Sequence, residues 1–303
     1  MFDLHCDTLL KVREGGNLQS NSFDVSFEKL SEYGKAGQLF AIYNQGNLST
    51  KDILDIIKLL KREADKSPVA EFCVTAQDCK NCKAPVSAFV SIEGLGNTPD
   101  FSLENLYEFY DSGVRISGLT WNMDNILCGG IGDNVTGLTQ FGRDVVAKMI
   151  NLGMGIDVSH ISDRGFWDIA GYPDVKLLAT HSNSRTVCNQ NRNITDEQFE
   201  AIKSRDGVVG LNLYPLFLNG TEVAAVCDLI RHIEHFCSLG GAKNLALGAD
   251  FDGVDFKMTD IDSCEKLYIL FDELARLNYS QQIIEDISQN NFINFFELLC
   301  IGQ

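Results

Sequence analysis

The sequence predicts an α/β protein built as a TIM-type (β/α)₈ barrel, in a single domain that spans residues 1–303. Two observations lead to this prediction. Short apolar, β-branched segments alternate with amphipathic helical segments along the whole chain, which implies parallel βαβ units. Eight such units fit a chain of 303 residues, and no linker, low-complexity segment or fixed-period repeat divides it.

Eight segments are predicted to form the barrel strands. Several follow a helical segment that ends in glycine, as helices often do. The segments are Phe2–His5, Gln38–Tyr43, Val86–Ile92, Val114–Thr120, Gly155–Ser159, Lys176–Thr180, Val208–Leu213 and Leu245–Ala249. A further run, Phe72–Ala76, exceeds the count of eight and is interpreted as an addition to the barrel.

The segments between the strands carry the periodicity of amphipathic helices. In Lys51–Lys66 the apolar residues recur at positions i, i+3, i+4 and i+7. Similar patterns lie within residues 103–113, 141–153, 195–207 and 222–241. The competing architecture is a doubly wound open sheet. A glycine-rich phosphate-binding loop after an early strand would favour it, but the chain has neither GxGxxG nor a P-loop motif.

Composition argues against several classes of partner. The formal net charge of −17 disfavours binding to nucleic acid or to an anionic membrane surface. No apolar run approaches the roughly 20 residues of a membrane helix, and no secretory or lipid-anchor signal is recognisable. We therefore expect a cytoplasmic protein with reduced, scattered cysteines. Cys73, Cys79 and Cys82 offer only three thiols where a closed zinc site needs four ligands, so we interpret them as an inert loop.

Polar residues follow several predicted strands at their carboxyl ends, where barrel enzymes build their active sites. Three of the five histidines lie at these positions: His5, His160 and His181. Carboxylates occur at the ends of the first, third and eighth strands, namely Asp7, Glu93, Asp250 and Asp252. One such residue alone would more often be structural. Their recurrence at equivalent positions predicts a shared metal site.

The other two histidines, His232 and His235, are spaced i, i+3 on a predicted helix. This spacing could present both rings to one metal ion. No carboxylate cluster accompanies them and the segment lacks HExxH, so we interpret them as a solvated helix face.

The strand-end residues predict two metal ions. His5 and Asp7 share one face of a strand, because alternate side chains point the same way. A bridging Glu93 would divide the ligands into His5, Asp7 and Glu93 for one ion, and Glu93, His160 and His181 for the other. Imidazole and carboxylate ligands without thiolate favour Zn²⁺, with Mn²⁺, Fe²⁺ or Co²⁺ as alternatives.

Two such ions predict hydrolytic chemistry. Paired cations hold a bridging hydroxide and polarise a carbonyl group. Asp250 follows the last predicted strand, where a general acid and base could move a proton from the nucleophile to a leaving nitrogen.

The strand-end motifs together resemble the renal (membrane) dipeptidase family of metal-dependent hydrolases in its bacterial form. The shared motifs are HxD, SIEG, DVSH, ATHSNSR, NRNIT and GADFDG, and they cover most of the chain. The resemblance implies a two-zinc barrel with the same five ligands, Glu93 as the bridge and Asp250 as the acid and base. It further implies that Arg192 binds the free carboxylate of a dipeptide, whereas the residues alone leave Arg185 as an equal candidate.

The segment after the fourth predicted strand departs from the better-known members of that family. Those members carry a histidine in an LTH motif that contacts the substrate near the scissile carbonyl. This chain reads LTWN and places Trp121 there. Tryptophan donates one N–H but cannot carry charge. Either a metal alone or Asn122 stabilises the oxyanion, or the preferred substrate differs.

We therefore expect a metallodipeptidase that hydrolyses dipeptides, including those with a D-residue on the C-terminal side. Members of the family are commonly dimers, so the resemblance also implies a homodimer. The alternative is another two-metal amidohydrolase that acts on an N-acyl amino acid, a cyclic amide or a lactam. HxD rather than HxH on the first strand favours the dipeptidase. A non-catalytic binding barrel is disfavoured because the candidate ligands and Asp250 are all present.

Overall fold

Within residues 1–299, which the computed structural model describes, nine β-strands form one sheet with parallel pairing throughout. The strands are β1 (Phe2–Cys6), β2 (Ala36–Tyr43), β3 (Ala70–Phe72), β4 (Val86–Glu93), β5 (Ile116–Gly118), β6 (Gly155–Asp157), β7 (Lys176–Leu178), β8 (Val209–Leu211) and β9 (Leu245–Leu247).

Eight of these strands form a nearly closed barrel. Their order in the sheet is β7-β6-β5-β4-β2-β1-β9-β8, and a parallel bridge between Ala179 and Val209 joins its two ends. The predicted fold class is therefore confirmed. The ninth strand, β3, pairs with the first residues of β4 outside this order. The run predicted as an addition is thus part strand, up to Phe72, and part helix, from Ala76 onward.

Thirteen α-helices lie within the described residues. They are α1 (Thr8–Glu14), α2 (Phe27–Ser31), α3 (Thr50–Lys66), α4 (Ala76–Asn81), α5 (Leu103–Asp111), α6 (Gln140–Asn151), α7 (Asp163–Ala170), α8 (Asp196–Lys203), α9 (Pro215–Leu218), α10 (Val226–Ser238), α11 (Tyr268–Arg276), α12 (Gln281–Glu285) and α13 (Asn291–Glu297). A π-helical turn, Asp286–Asn290, joins the last two. None of the described helices has the length and apolar character needed to cross a bilayer.

Helix α3 shows how local sequence sets these elements. Ser49 and Asp52 form a capping box, in which each side chain accepts a hydrogen bond from the main-chain N–H of the other. The apolar periodicity places four buried residues on one face: Ile53, Ile56, Ile57 and Leu60. The helix therefore covers the barrel with the face that the sequence predicts.

Apolar side chains fill the amino-terminal half of the barrel interior. Phe2 of β1 lies 5.8 Å from Phe89 of β4 between ring centroids, and Leu178 of β7 belongs to the same buried cluster. These strands are not neighbours in the sheet, so their side chains can meet only inside the barrel. Phe292 and Phe296 of α13 close this end, with the ring of Phe296 lying 5.0 Å from that of Phe89.

The three clustered cysteines lie beside this apolar cluster. Cys73 and Cys82 are buried, and Cys79 is half-buried within α4 rather than in a loop. Burial raises the pKa of the Cys73 and Cys79 thiols. Among residues 1–299, the side-chain groups that could hold a metal ion contain no cysteine.

Candidate metal centre

Three imidazoles and one glutamate converge at the carboxyl ends of β1, β4, β6 and β7. Glu93 lies between two of the histidines: its Oε2 is 3.1 Å from His5 Nε2, and its Oε1 is 3.0 Å from His160 Nε2. His181 Nε2 is 2.9 Å from His160 Nε2. The donor atoms of His5, Glu93 and His181 lie close enough together to hold one ion. Four predicted ligands thus meet with the glutamate at the middle.

Two aspartates complete the group on the β1 side. Asp7 Oδ2 is 3.7 Å and Asp250 Oδ1 is 3.9 Å from His5 Nε2, and these three residues form a second group that could hold an ion. Asp250 Oδ2 accepts a hydrogen bond of 2.9 Å from Asn212 Nδ2. A side chain at position 253 would clash with both aspartates, so Gly253 makes room for them.

The donor set fits divalent cations. Among the described residues, the buried His5 Nε2 and Asp7 Oδ1 have no aligned hydrogen-bond partner. The Nε2 atoms of His160 and His181 face each other, which suits lone pairs directed at a shared cation. The cavity above them has a volume of about 440 Å³, and five carboxylates line it against two cationic side chains: Asp7, Glu93, Asp250, Asp252 and Asp255 against Lys11 and Arg192.

Burial and neighbouring charges act differently on the ligands. Burial raises the pKa of Glu93, but His160 and His5 outweigh it and hold that pKa well below its usual range. Burial lowers the pKa of His5, but Asp7 and Glu93 raise it well above its ordinary value. Burial and the charge of His5 keep the pKa of His181 well below its ordinary value. These directions favour the carboxylate form of Glu93 and the neutral form of His181, in which both residues bind metals, whereas the carboxylates around His5 favour its charged form.

The two candidate arginines occupy different environments. Arg192 is buried and lines the cavity, and its guanidinium donates to the main-chain oxygens of Ser159 and His181. Arg185 instead makes a bidentate contact with Asp163, with both N–O distances at 2.8 Å, and lies outside the lining of this cavity. The structure thus places Arg192, and not Arg185, at the cavity, a distinction that the residues alone could not make.

Trp121 and Asn122 both line the cavity. Trp121 packs edge-on against Tyr43, with ring centroids 5.1 Å apart. The Oδ1 atom of Asn122 lies 2.9 Å from His160 Nδ1, so this amide orients an imidazole as well as lining the cavity.

His232 is fully buried, so its predicted place on a solvated helix face is wrong. Its Nδ1 accepts a hydrogen bond of 3.1 Å from the Ser184 N–H, and its Nε2 donates one of 2.9 Å to the Leu218 oxygen. His235 is half-buried, with its Nε2 at 2.8 Å from Asp196 Oδ1. Helix α10 therefore turns His232 toward the segments that follow β7 and β8, which helical spacing alone cannot reveal.

Sequence reasoning missed a polar group behind the histidines. Asp157, Ser159 and Thr180 are each at most 7% exposed, and the Thr180 hydroxyl donates a hydrogen bond of 2.6 Å to Asp157 Oδ2. The available signal was the alternation of Asp157 and Ser159 with apolar residues in GIDVSH, which directs both to the same face as the other inward-pointing residues.

Comparison with known proteins identifies the family. The model of the membrane dipeptidases (peptidase family M19) matches residues 1–298. The chain belongs to this family. It is 34% identical over 234 residues to a protein in the pqqA 5′ region of Klebsiella pneumoniae, with 73% of this chain and 86% of that protein covered. It is 26% identical to Dipeptidase 3 of Rattus norvegicus, with 90% of this chain but 58% of the rat protein covered.

Solved structures of the family share the whole fold. A crystal structure of a metallopeptidase called dipeptidase AC has a TM-score of 0.89 at 26% identity, covering 99% of this chain and 98% of that one. A Rhodobacter sphaeroides metallopeptidase, bound to a phosphinate mimic of L-Ala-D-Ala, has a TM-score of 0.87 at 25% identity, covering 98% of both chains. The predicted enzyme class is confirmed: the chain is a peptide-bond hydrolase of a family that uses divalent metal.

Proposed function

We propose that this enzyme hydrolyses the peptide bond of dipeptides at a centre of two divalent cations. One observation carries the proposal: Glu93 turns one carboxylate oxygen toward His5 and the other toward His160, inside a cavity that an arginine also lines. The Rhodobacter sphaeroides enzyme binds a dipeptide mimic, which supports the same substrate class here.

The arrangement of the ligands favours two ions over one. His5, Asp7 and one oxygen of Glu93 would hold the first ion, and the other oxygen with His160 and His181 would hold the second. Two dications would also offset the excess of carboxylates around the cavity. Nitrogen and oxygen ligands without thiolate favour Zn²⁺, with Mn²⁺, Co²⁺ or Fe²⁺ as alternatives.

Bound cations would supply a Lewis acid for the peptide carbonyl and lower the pKa of a water molecule. Asp250 is the residue we assign to proton transfer. Asn212 holds its Oδ2, which leaves Oδ1, 3.9 Å from His5 Nε2, facing the centre. Oδ1 would take a proton from the attacking water and return it to the leaving amine.

Arg192 is the residue we assign to the substrate carboxylate. Its bonds to the carbonyl oxygens of Ser159 and His181 hold the planar guanidinium in the cavity wall. A guanidinium held in this way presents paired N–H donors, which match the two oxygens of a carboxylate. Trp121 and Asn122 would contact the substrate elsewhere in the lining, beside Tyr43.

The test combines metal content with a substrate screen. Purified enzyme should contain about two divalent ions per chain, measured by elemental mass spectrometry. It should hydrolyse L-L and L-D dipeptides faster than N-acyl amino acids, cyclic amides or lactams. Full activity in metal-free protein would contradict the proposed centre, and preference for an N-acyl amino acid would contradict the proposed substrate.

A pair of matched variants links the two measurements. Glu93→Gln should lose both metal and activity, because it replaces the proposed bridging carboxylate. Glu63→Gln alters another buried glutamate, whose Oε2 accepts a hydrogen bond of 3.1 Å from the Leu18 N–H. That control should keep both metal and activity. Equal losses in the two variants would mean that the effect is general to buried glutamates.

A further inference from the structure

The hydroxyl of Thr180 lies between two imidazoles behind the candidate metal centre. Its Oγ1 is 2.8 Å from His181 Nδ1 and 3.4 Å from His5 Nδ1. Thr180 is 1% exposed, so bulk water does not compete for these contacts. One side chain therefore touches two proposed ligands, His5 within β1 and His181, which follows β7.

Asp157 determines where the Thr180 proton points. The Thr180 hydroxyl donates to Asp157 Oδ2 at 2.6 Å, and the Ser159 hydroxyl donates to Asp157 Oδ1 at 2.6 Å. The main-chain N–H groups of Ser159 and Thr180 donate to the same Oδ1 at 3.0 and 2.9 Å. The Asp157 side chain thus accepts four hydrogen bonds, and both hydroxyl protons are directed at it.

The lone pairs of Thr180 Oγ1 consequently face His181 and His5. An imidazole nitrogen that contacts an oxygen lone pair carries the proton, and the other nitrogen of a neutral ring is then left with a lone pair. In His181 the protonated atom is Nδ1, and His5 Nδ1 lies beside a lone pair of the same oxygen. The free atom of His181 is Nε2, which faces His160 Nε2.

We propose that Thr180, held by Asp157, is a positioning residue that sets the tautomer of His181 and the ring orientation of both His181 and His5 for metal binding. The inference rests on the proposed function, because it concerns the ions of that centre. Asn122 Oδ1 contacts His160 Nδ1 at 2.9 Å in an equivalent way. All three imidazoles thus have Nδ1 bound to an oxygen and Nε2 directed at the centre.

The first test is metal affinity, measured by competition with a chelating indicator. Thr180→Val keeps the shape of the side chain but removes the hydroxyl, and it should weaken binding about 10–100-fold. Thr180→Ser keeps the hydroxyl and should bind as the parent does. Asp157→Asn frees the hydroxyl proton to turn toward an imidazole, and it should also weaken binding.

Thr98→Val is the matched control. Thr98 is likewise 1% exposed, and its Oγ1 accepts a hydrogen bond of 3.1 Å from an amide, Nδ2 of Asn44. It undergoes the same substitution and should keep parental affinity. An equal loss in Thr98→Val would show a general packing effect and overturn the role of Thr180.

The second test reads the tautomer in metal-free protein labelled with ¹⁵N-histidine. NMR spectra of the parent should show His181 with its proton on Nδ1, and Thr180→Val should lose this preference. If the role of Thr180 were purely structural, Thr180→Val would lower the melting temperature without changing the tautomer of His181. Because the parent spectrum needs no variant, an Nε2–H form of His181 in the parent overturns the inference directly.

The outcomes separate this inference from the proposed function. A parent protein that binds no divalent ion refutes the metal centre itself. A parent that binds ions, together with a Thr180→Val variant that binds them equally well, refutes only the positioning role.

Discussion

The two ends of the barrel place very different side chains on the same strands. At the amino ends the interior is apolar, with Phe2, Phe89 and Leu178 in one cluster that α13 closes. At the carboxyl ends it is polar and ionisable, with His5 and Glu93 among the candidate ligands. Strand β4 contains both kinds, with Phe89 and Glu93 four residues apart and therefore on the same face.

This difference indicates that one end of the barrel serves stability and the other serves metal binding and catalysis. Apolar packing stabilises the barrel at the amino ends, so substitutions there should change the free energy of unfolding and leave the chemistry intact. Buried charges at the carboxyl ends are expensive to maintain without bound cations, so substitutions there should change activity or metal binding. Substitutions at the two ends should therefore have separable effects.

Asp250→Asn should have the largest effect, a fall in turnover of about 10²–10⁴-fold. An amide cannot accept the proton that Asp250 Oδ1 is proposed to take. Metal content should stay at the parental level, as measured by elemental mass spectrometry beside steady-state kinetics. Because Asp250 also lies in one of the groups that could hold an ion, loss of metal in this variant would identify it as a ligand instead.

Asp252→Asn is the control for that experiment. The Asp252 side chain accepts hydrogen bonds of 2.5 Å from Thr8 Oγ1 and 2.9 Å from Lys11 Nζ. These contacts assign it to the support of the loop, so turnover should change far less than in Asp250→Asn. Similar losses in both variants would argue against a specific proton-transfer role for Asp250.

Phe89→Ala should destabilise the fold by about 3–5 kcal/mol, because it opens a cavity between packed aromatic rings. Phe89 is 2% exposed and contacts Phe2 and Phe296. Chemical denaturation would measure the loss. The folded fraction should keep the parental kcat and metal content. A change in either one would contradict the view that the apolar end serves stability alone.

Arg192→Ala should raise KM about 10–100-fold for dipeptides with a free carboxylate, the effect of losing a charged hydrogen bond. C-terminally amidated dipeptides lack that carboxylate, so their kinetics should change little. Equal effects on both substrates would remove the proposed carboxylate contact. Arg185→Ala is the matched control: it breaks the pair with Asp163 and should lower stability without a rise in KM.

Much of the fold could be predicted because it depends on local pattern. Apolar runs, helical periodicity and glycines at helix ends involve residues that are close together in the sequence. These local signals predict the barrel that the structure confirms. Strands β5 to β9 are shorter than predicted: β5, for example, covers only Ile116–Gly118 of the predicted Val114–Thr120. Strands β1, β2 and β4 are instead one or two residues longer than predicted. The predicted segments included residues that leave the sheet to line its carboxyl end. Parallel βαβ units bring the carboxyl ends of all strands to one face of the barrel. Polar residues at those ends could therefore be predicted as candidate ligands.

The environment of individual polar residues could not be predicted in this way. His232 takes its hydrogen bonds from positions 48 and 14 residues away in sequence, which helical spacing does not reveal. Thr180 bonds to Asp157 across 23 residues. A polar residue at a strand end is common, and only the assembled barrel shows which ones meet. The roles assigned to the site residues accordingly stay predictions until they are measured.

His232 offers the smallest test, because it is a histidine near the polar end that has structural partners instead of carboxylates. Burial lowers the pKa of His232 from 6.5 to about 4, with the Leu218 carbonyl opposing the shift. Between these values the unfolded chain binds more protons than the folded one, so stability falls as pH falls. From pH 7.5 to 5.5 this single group should remove about 1 kcal/mol from the free energy of unfolding.

Other groups titrate in the same pH window, so the control is His232→Gln, whose side chain carries no charge at either pH. Urea denaturation of both proteins at both pH values should show a loss about 1 kcal/mol smaller in the variant. An equal loss in the two proteins would mean that the pKa of His232 is the same in the folded and the unfolded protein. Its buried contacts would then not hold the ring neutral.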